Sequence, residues 1–116
     1  MPDFSKDLIA ATSIPLILSV LSEGESYGYE IIKTIKERSN GTLEFAEGTL
    51  YPVLKKLEEK KMITATWKTA ANERQRKYYR ITTAGKKQLQ AEKASWQFIN
   101  NIFEQLWKHQ VNFNLN

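Results

Sequence analysis

Few side chains in this 116-residue chain are suited to making or breaking bonds. Cysteine is absent, which excludes thiolate nucleophiles, thiolate metal sites and disulfides. The one histidine, His109, lies near the C-terminus and reads as a solvated residue of the tail, not as a base or a ligand. No spacing of Asp, Glu and His makes a metal set, and no glycine-rich loop leads into a helix in the phosphate-binding manner. Catalysis, a metal and a cofactor are therefore not expected.

What the chain does carry is a cluster of cations. From Lys68 to Lys87 the charged residues are Lys68, Arg74, Arg76, Lys77, Arg80, Lys86 and Lys87 against a single acid, Glu73. That segment holds +6 in a chain of net charge +4, so the remainder is slightly acidic. A local basic excess is the footprint of a surface that docks phosphates. Taken alone it fits a solvated charged loop equally well, so the flanking elements must decide.

The length suits one domain with a modest core, and 41% apolar with 26% charged residues is the composition of a globular chain. No apolar run reaches bilayer-spanning length, and Met1-Pro2-Asp3-Phe4 lacks the basic-then-apolar order of a signal peptide. The expected setting is cytoplasmic, away from membranes.

Periodicity supplies the elements. A first helix is expected over Phe4 to Leu21, with Leu8, Ala11, Leu18 and Leu21 on its buried side. Pro15 either kinks it near Ala11 and Thr12 or leaves Ser13 to cap a second segment. Glu23-Gly24-Glu25-Ser26 reads as a stop followed by a serine cap. A second helix then runs from Tyr27 to about Ser39 with Ile31, Ile32 and Ile35 inward, ended by Asn40-Gly41. Thr42 to Phe45 is a short extended link. A third helix, Glu47 to about Lys61, turns Leu50, Val53, Leu54 and Leu57 inward and leaves Thr49, Tyr51, Pro52, Lys55 and Lys56 outside.

At Ile63 the period drops from 3.6 to 2. Ile63, Ala65 and Trp67 alternate with Thr64, Thr66 and Lys68, and Lys77 to Ile81 is a second run of β-formers, so a hairpin with a long basic tip is expected. Its alternation turns either Tyr78 or Tyr79 inward with Ile81. Thr82 or Thr83 then caps a long helix to about Val111. Along it Leu89, Trp96 and Phe103 occupy one position of a seven-residue register, and Ile99 and Leu106 another.

Three helices followed by a β-hairpin is the order of the winged helix-turn-helix, whose last helix before the hairpin enters the major groove of DNA. The basic excess falls on the expected wing. The predicted class is thus mainly α (α+β), a winged helix over 1–82 followed by a C-terminal dimerisation helix and tail over 83–116. Gly48-Thr49 offers free amides and a hydroxyl at a positive helix end, a seat for a phosphate. Tyr51 and Lys55, one turn apart, suit base edges or the sugar-phosphate chain, although Tyr51 suits packing against the wing as well. Arg74, Arg76 and Lys77 suit phosphates, which add affinity without sequence choice.

Three blocks strengthen this reading. Ser26-Tyr27-Gly28-Tyr29-Glu30-Ile31, Gly48-Thr49-Leu50-Tyr51-Pro52-Val53-Leu54-Lys55-Lys56-Leu57-Glu58 and Arg76-Lys77-Tyr78-Tyr79-Arg80-Ile81-Thr82-Thr83-Ala84-Gly85 occur in the order and spacing of the PadR-type regulators. The resemblance runs from about Leu16 to Leu89, and the single C-terminal helix is similar to that family's small branch. It departs at Ala46, where the family usually offers a capping serine or asparagine, and at Ala70-Ala71-Asn72-Glu73, which lacks the glycines common in relatives' wing tips. The resemblance implies a transcriptional repressor, and the residues expected to meet a palindromic double-stranded operator are Tyr27, Gly48, Thr49, Tyr51, Lys55, Lys56, Arg74, Arg76, Lys77 and Tyr79. A winged helix used only for protein contact is the rival; it predicts an apolar outer face on the third helix.

A two-fold site calls for a two-fold protein. The seam of the expected homodimer is Leu8, Leu89, Trp96, Ile99, Phe103 and Leu106, with packing of the same stripe on the first helix as the alternative. At such a seam Trp96 faces its own copy, and paired indoles can sandwich a planar aromatic or cationic effector. Resemblance to the small branch implies such a ligand; a packed interface tryptophan without a cavity is the other reading.

Overall fold

Apolar periodicity and turn chemistry divide the chain into the elements expected, with one addition. The computed structural model describes residues 4–72 and 74–114, with side chains through residue 109. In order these are α1 (Lys6–Ser22), β1 (Ser26–Tyr27), α2 (Gly28–Arg38), α3 (Glu47–Glu59), β2 (Ile63–Thr69), β3 (Gln75–Ile81) and α4 (Thr83–Asn114). The three strands form one antiparallel sheet in the order β1-β3-β2. This is the predicted winged helix with its long final helix. Glu73 of the wing tip and the N-terminal residues 1–3 lie outside the described residues.

One core joins every element except the tiny β1. Ile17, Leu18 and Leu21 of α1 meet Ile31 and Ile35 of α2, Leu50, Leu54 and Leu57 of α3, Ile63, Tyr79 and Ile81 of the sheet, and Leu89 of α4. Burial of each Leu or Ile contributes roughly 2 kcal/mol. Because the α3 stripe is fully buried, its opposite face, with Thr49, Tyr51, Lys55 and Lys56, is held toward solvent. Phe45, buried in the link before α3, fixes where that helix starts.

Helix ends follow local chemistry. Both α2 and α3 close with paired bonds: Gly41 N–H to Lys36 O and Asn40 N–H to Glu37 O, then Met62 N–H to Leu57 O and Lys61 N–H to Glu58 O. Each motif needs a left-handed residue, supplied by Asn40 at φ 53° and Lys61 at φ 60°. The third helix therefore ends at Glu59, two residues before the sequence pattern suggests. At its start Ala46 provides no side-chain cap.

Several expectations are corrected. Pro15 does not divide α1: the helix is continuous, Ser5 caps it by accepting from Leu8 N–H at 3.1 Å, and Ser13 Oγ donates to Ala10 O instead of capping. Its buried side is Ser13, Ile17, Leu18 and Leu21, while Leu8 and Ala11 are exposed and Ile9, one i to i+4 step before Ser13, packs against the core in the first turn. Ser26 does not cap α2 either. Its Oγ donates to Glu30 Oε1 at 2.7 Å, and its extended backbone pairs with Tyr79 as β1, so the cap position falls on Tyr27. The wing strands reach Thr69 and Gln75, and the loop between them is shorter than the polar link suggested.

Strand register settles the two tyrosines. Ile63 pairs with Ile81, Ala65 with Tyr79 and Trp67 with Lys77, so these six side chains share the core-side face. Tyr79, 4% exposed, packs inward; Tyr78 lies on the outer face beside Tyr27. Burial raises the Tyr79 hydroxyl's pKa above its usual value.

Candidate nucleic-acid interface

The first turn of α2, the first turns of α3 and the wing surround an open cleft of about 690 Å³. From β1 comes Tyr27, from α2 Gly28 and Tyr29, from α3 Glu47 and Tyr51, and from the wing Trp67, Arg74, Gln75, Arg76 and Lys77, with Tyr79 at the floor. Tyr51 answers the choice left open by its sequence position. A Cβ on Gly28 would stand 2.5 Å from the Tyr51 hydroxyl oxygen and 2.8 Å from Cζ, so the phenol lies against the bare glycine backbone while the ring stays 44% exposed. Tyr51 thus packs across to α2 beside the wing residues Lys77 and Tyr79, and still offers a face to the cleft.

At the α3 N-terminus the amides are not all free. Thr49 and Leu50 N–H both donate to Ala46 O. Gly48 has open space around its Cα, and Glu47 supplies an acid in the first turn, which competes with an anion there. Lys55 and Lys56 project from the next turns with no carboxylate partner among the described residues.

The wing cations divide by their company. The Arg76 guanidinium sits 4.3 Å from the Tyr27 ring centroid, and Tyr27 meets Tyr78 edge-on with centroids 5.3 Å apart. Lys68 caps the other side of Tyr78 at 5.3 Å. Glu25 gathers Lys68 and Arg80 on that outer face, the latter at 3.2 Å. The hydrogen bond from Lys68, with Arg80 adding to it, holds the Glu25 carboxyl below the usual carboxylate pKa. On the inner face Lys77 Nζ reaches Glu58 Oε1 of α3 at 3.1 Å, which raises the lysine pKa and ties the wing to the helix. Arg74 and Arg76 have no carboxylate partner among the described residues.

The expected contact residues therefore do not form one equivalent set. Tyr27, Tyr51, Arg74, Arg76 and Lys77 converge on the cleft, and Thr49, Lys55 and Lys56 lie on the exposed face of α3. Tyr79 is a correction: it is packed into the core because its strand position alternates with the outer face, leaving little of it for a partner. Among the expected seam residues Leu89 is likewise corrected. It is 3% exposed and belongs to the chain's own core, since the start of α4 rests on α1 and β3. Leu8, Trp96, Ile99, Phe103 and Leu106 are exposed, as are Phe98, Ile102 and Trp107.

Sequence reasoning missed four participants. Tyr29 lines the cleft, and Trp67 projects into it although its alternation with Ile63 and Ala65 suggests a core residue. Glu58 holds Lys77, and Glu25 holds Lys68 and Arg80. Opposite charge between a wing strand and a helix or turn was the only signal for the last two, and it has no fixed spacing in sequence.

Comparison with known proteins agrees with this architecture. Residues 17–91 match the Transcriptional regulator PadR-like family. A transcriptional regulator from Clostridium thermocellum has a similar structure, with a TM-score of 0.81 and 32% identity, covering 89% of this chain and 97% of that one. A PadR family transcription regulator from Clostridium difficile R20291 gives a TM-score of 0.73 and 35% identity, covering 82% and 97%. The negative transcriptional regulator PadR of Bacillus subtilis (strain 168) is 33% identical over 73 residues, which span 63% of this chain and 40% of that protein. With the family pattern matched over well more than half its length, this chain belongs to the PadR-like family of transcriptional regulators.

Proposed function

We propose that the chain is a homodimeric repressor that binds a palindromic DNA operator. Residues 1–82 serve as the DNA-binding unit, and 83–116 as the dimerisation helix and tail. The observation that carries this reading is the joining of a polar outer face on α3 to a wing whose Arg74 and Arg76 have no carboxylate partner among the described residues. An interface for protein contact would favour an apolar face on α3, whereas Thr49, Lys55 and Lys56 stand there. Repression follows by analogy with the negative regulator of Bacillus subtilis. Thr49, Tyr51, Lys55 and Lys56 enter the major groove, Gly48 lets the backbone approach a phosphate, and Tyr27, Arg74, Arg76 and Lys77 meet the backbone beside it.

Salt dependence tests the assignment. Removing one phosphate neutralisation lowers the slope of log K against log salt by about 0.9, so Arg74→Ala with Arg76→Ala should flatten it by roughly two units and weaken all duplexes alike. Lys77→Ala should change it less, because Glu58 already neutralises that cation. Tyr51→Ala or Lys55→Ala should instead reorder affinities among operators. An unaltered slope in the double arginine variant removes the wing from the backbone, and binding that does not depend on salt points to the protein-contact rival.

Trp96, 36% exposed within the apolar face of α4, is proposed as the seat of a planar aromatic or cationic effector between the two copies. Planar dyes should quench tryptophan emission in the native protein and do so weakly in Trp96→Ala. Equal quenching in both excludes Trp96.

A further inference from the structure

Trp67 is a large side chain that, among the described residues, neither the core nor the ion pairs engage. It continues the core-side alternation of Ile63 and Ala65 along β2, opposite Lys77 on β3. The core ends before it: Ile63 is 1% exposed and Trp67 is 64% exposed. Among the described residues no ring stacks on its indole and no cation sits over it. Leaving an indole in water forgoes one of the largest burial gains of any side chain.

The surroundings specify what would cover it. Tyr29, 63% exposed, and Tyr51, 44% exposed, stand on the helix side of the same cleft, and Arg74, Arg76 and Lys77 line its wing side. A partner that satisfies both sets must alternate apolar or flat surface with negative charge over a few ångströms. A DNA duplex does so, presenting deoxyribose and base edges, including thymine methyl groups, between phosphates.

We infer that Trp67 packs against the sugar or an exposed base edge of the duplex held in this cleft. The inference rests on reading the cleft as the DNA interface, and it deepens that reading by assigning an apolar contact. Phosphate contacts release counterions and set the salt slope. An indole on sugar or base releases none, so it shifts affinity equally at every salt concentration.

The experiment is a salt series of anisotropy titrations with a fluorescently labelled mixed-sequence duplex, using the intact protein, Trp67→Ala and Trp67→Phe. Trp67→Ala should bind roughly five- to thirtyfold more weakly at every salt concentration, with an unchanged slope. Trp67→Phe should fall between, and in that variant most of the DNA-induced quenching of tryptophan emission should vanish. Because the side chain is exposed, both variants should melt with the native protein. If Trp67→Ala binds as tightly as native protein that itself shows steep salt dependence, the contact is overturned and the DNA reading stands. A loss of affinity with a shallower slope also overturns it, making Trp67 a residue that positions the wing cations. Native protein that shows no salt-dependent binding to any duplex overturns both readings together.

Discussion

Gly85→Ala is expected to lower the melting temperature by roughly 10 °C or more, a loss of about 3 kcal/mol from a domain whose whole stability is of order 10 kcal/mol. Alanine ordinarily stabilises a helix relative to glycine by about 1 kcal/mol, so the sign here is inverted by packing. Gly85 lies in the first turn of α4, where the Thr82 Oγ1 accepts from its N–H at 3.1 Å and donates to Lys61 O at 2.8 Å. Thr82 N–H also donates to Met62 O. These bonds press the helix start onto the turn after α3, and a Cβ at Gly85 would fall deep within contact distance of the Met62 carbonyl and 2.7 Å from Ile81 Cγ1. A backbone carbonyl cannot swing aside as a side-chain tip can. Gly48→Ala is the control: nothing lies within 4 Å of its Cβ position, so that variant should be as stable as the native protein or up to about 1 kcal/mol more so. Thermal denaturation of the two variants checks the contrast, and a Gly85→Ala protein that melts normally would show that the turn after α3 can yield to the start of α4.

Ile99→Glu combined with Phe103→Glu is expected to yield a monomer that binds operator DNA about a hundredfold or more weakly than the native protein. The 32 residues of α4 extend roughly 48 Å, and the helix gives the chain a long axis of 64 Å. Along it Trp96, Ile99, Ile102, Phe103, Leu106 and Trp107 stand 36% to 56% exposed, with Phe103 and Trp107 stacked at 5.0 Å. So large a contiguous apolar face on one chain is where the proposed homodimer would associate. Two carboxylates in its centre would have to be buried unpaired at a seam, which costs several kcal/mol and favours separation. Each monomer would then grip one half-site without the effective concentration that linkage provides. Sedimentation and gel-shift titration read the two effects. A variant that stays dimeric moves the seam elsewhere, and a monomer with native affinity disposes of the two-half-site scheme.

Much of the fold was legible because it depends on short-range rules. The inward stripe Leu50, Leu54 and Leu57 follows helical spacing, the Asn40-Gly41 stop follows from left-handed tolerance, and the hairpin from Ile63 onward follows from a change of period. Of the two threonines that could cap α4, Thr82 is the one whose hydroxyl accepts from the first turn. The candidate site was legible in part for the same reason: an exposed helix face and a basic wing are local patterns.

Other features depend on which strangers in sequence become neighbours. Two residues, Ser26 and Tyr27, are too few to announce a strand, yet β3 pairs with them. Alternation alone allowed Tyr78 or Tyr79 inward, and only the register with β2 and the position of the core turned Tyr79 inside. That same face outruns the core at Trp67, which no pattern in the strand reveals. Heptad spacing grouped Leu89 with Trp96 and Phe103, but packing of the α4 start on α1 and β3 claimed Leu89 for the interior. By itself, then, the sequence determined the order of elements, the polar face of α3 and the cationic wing, since each rests on periodicity, capping or local charge. Only the tertiary structure decided which cations have carboxylate partners among the described residues, which aromatics face the cleft and which apolar residues remain uncovered, because ion pairs such as Lys77–Glu58 and the limit of a core are set by distances between segments far apart in the chain.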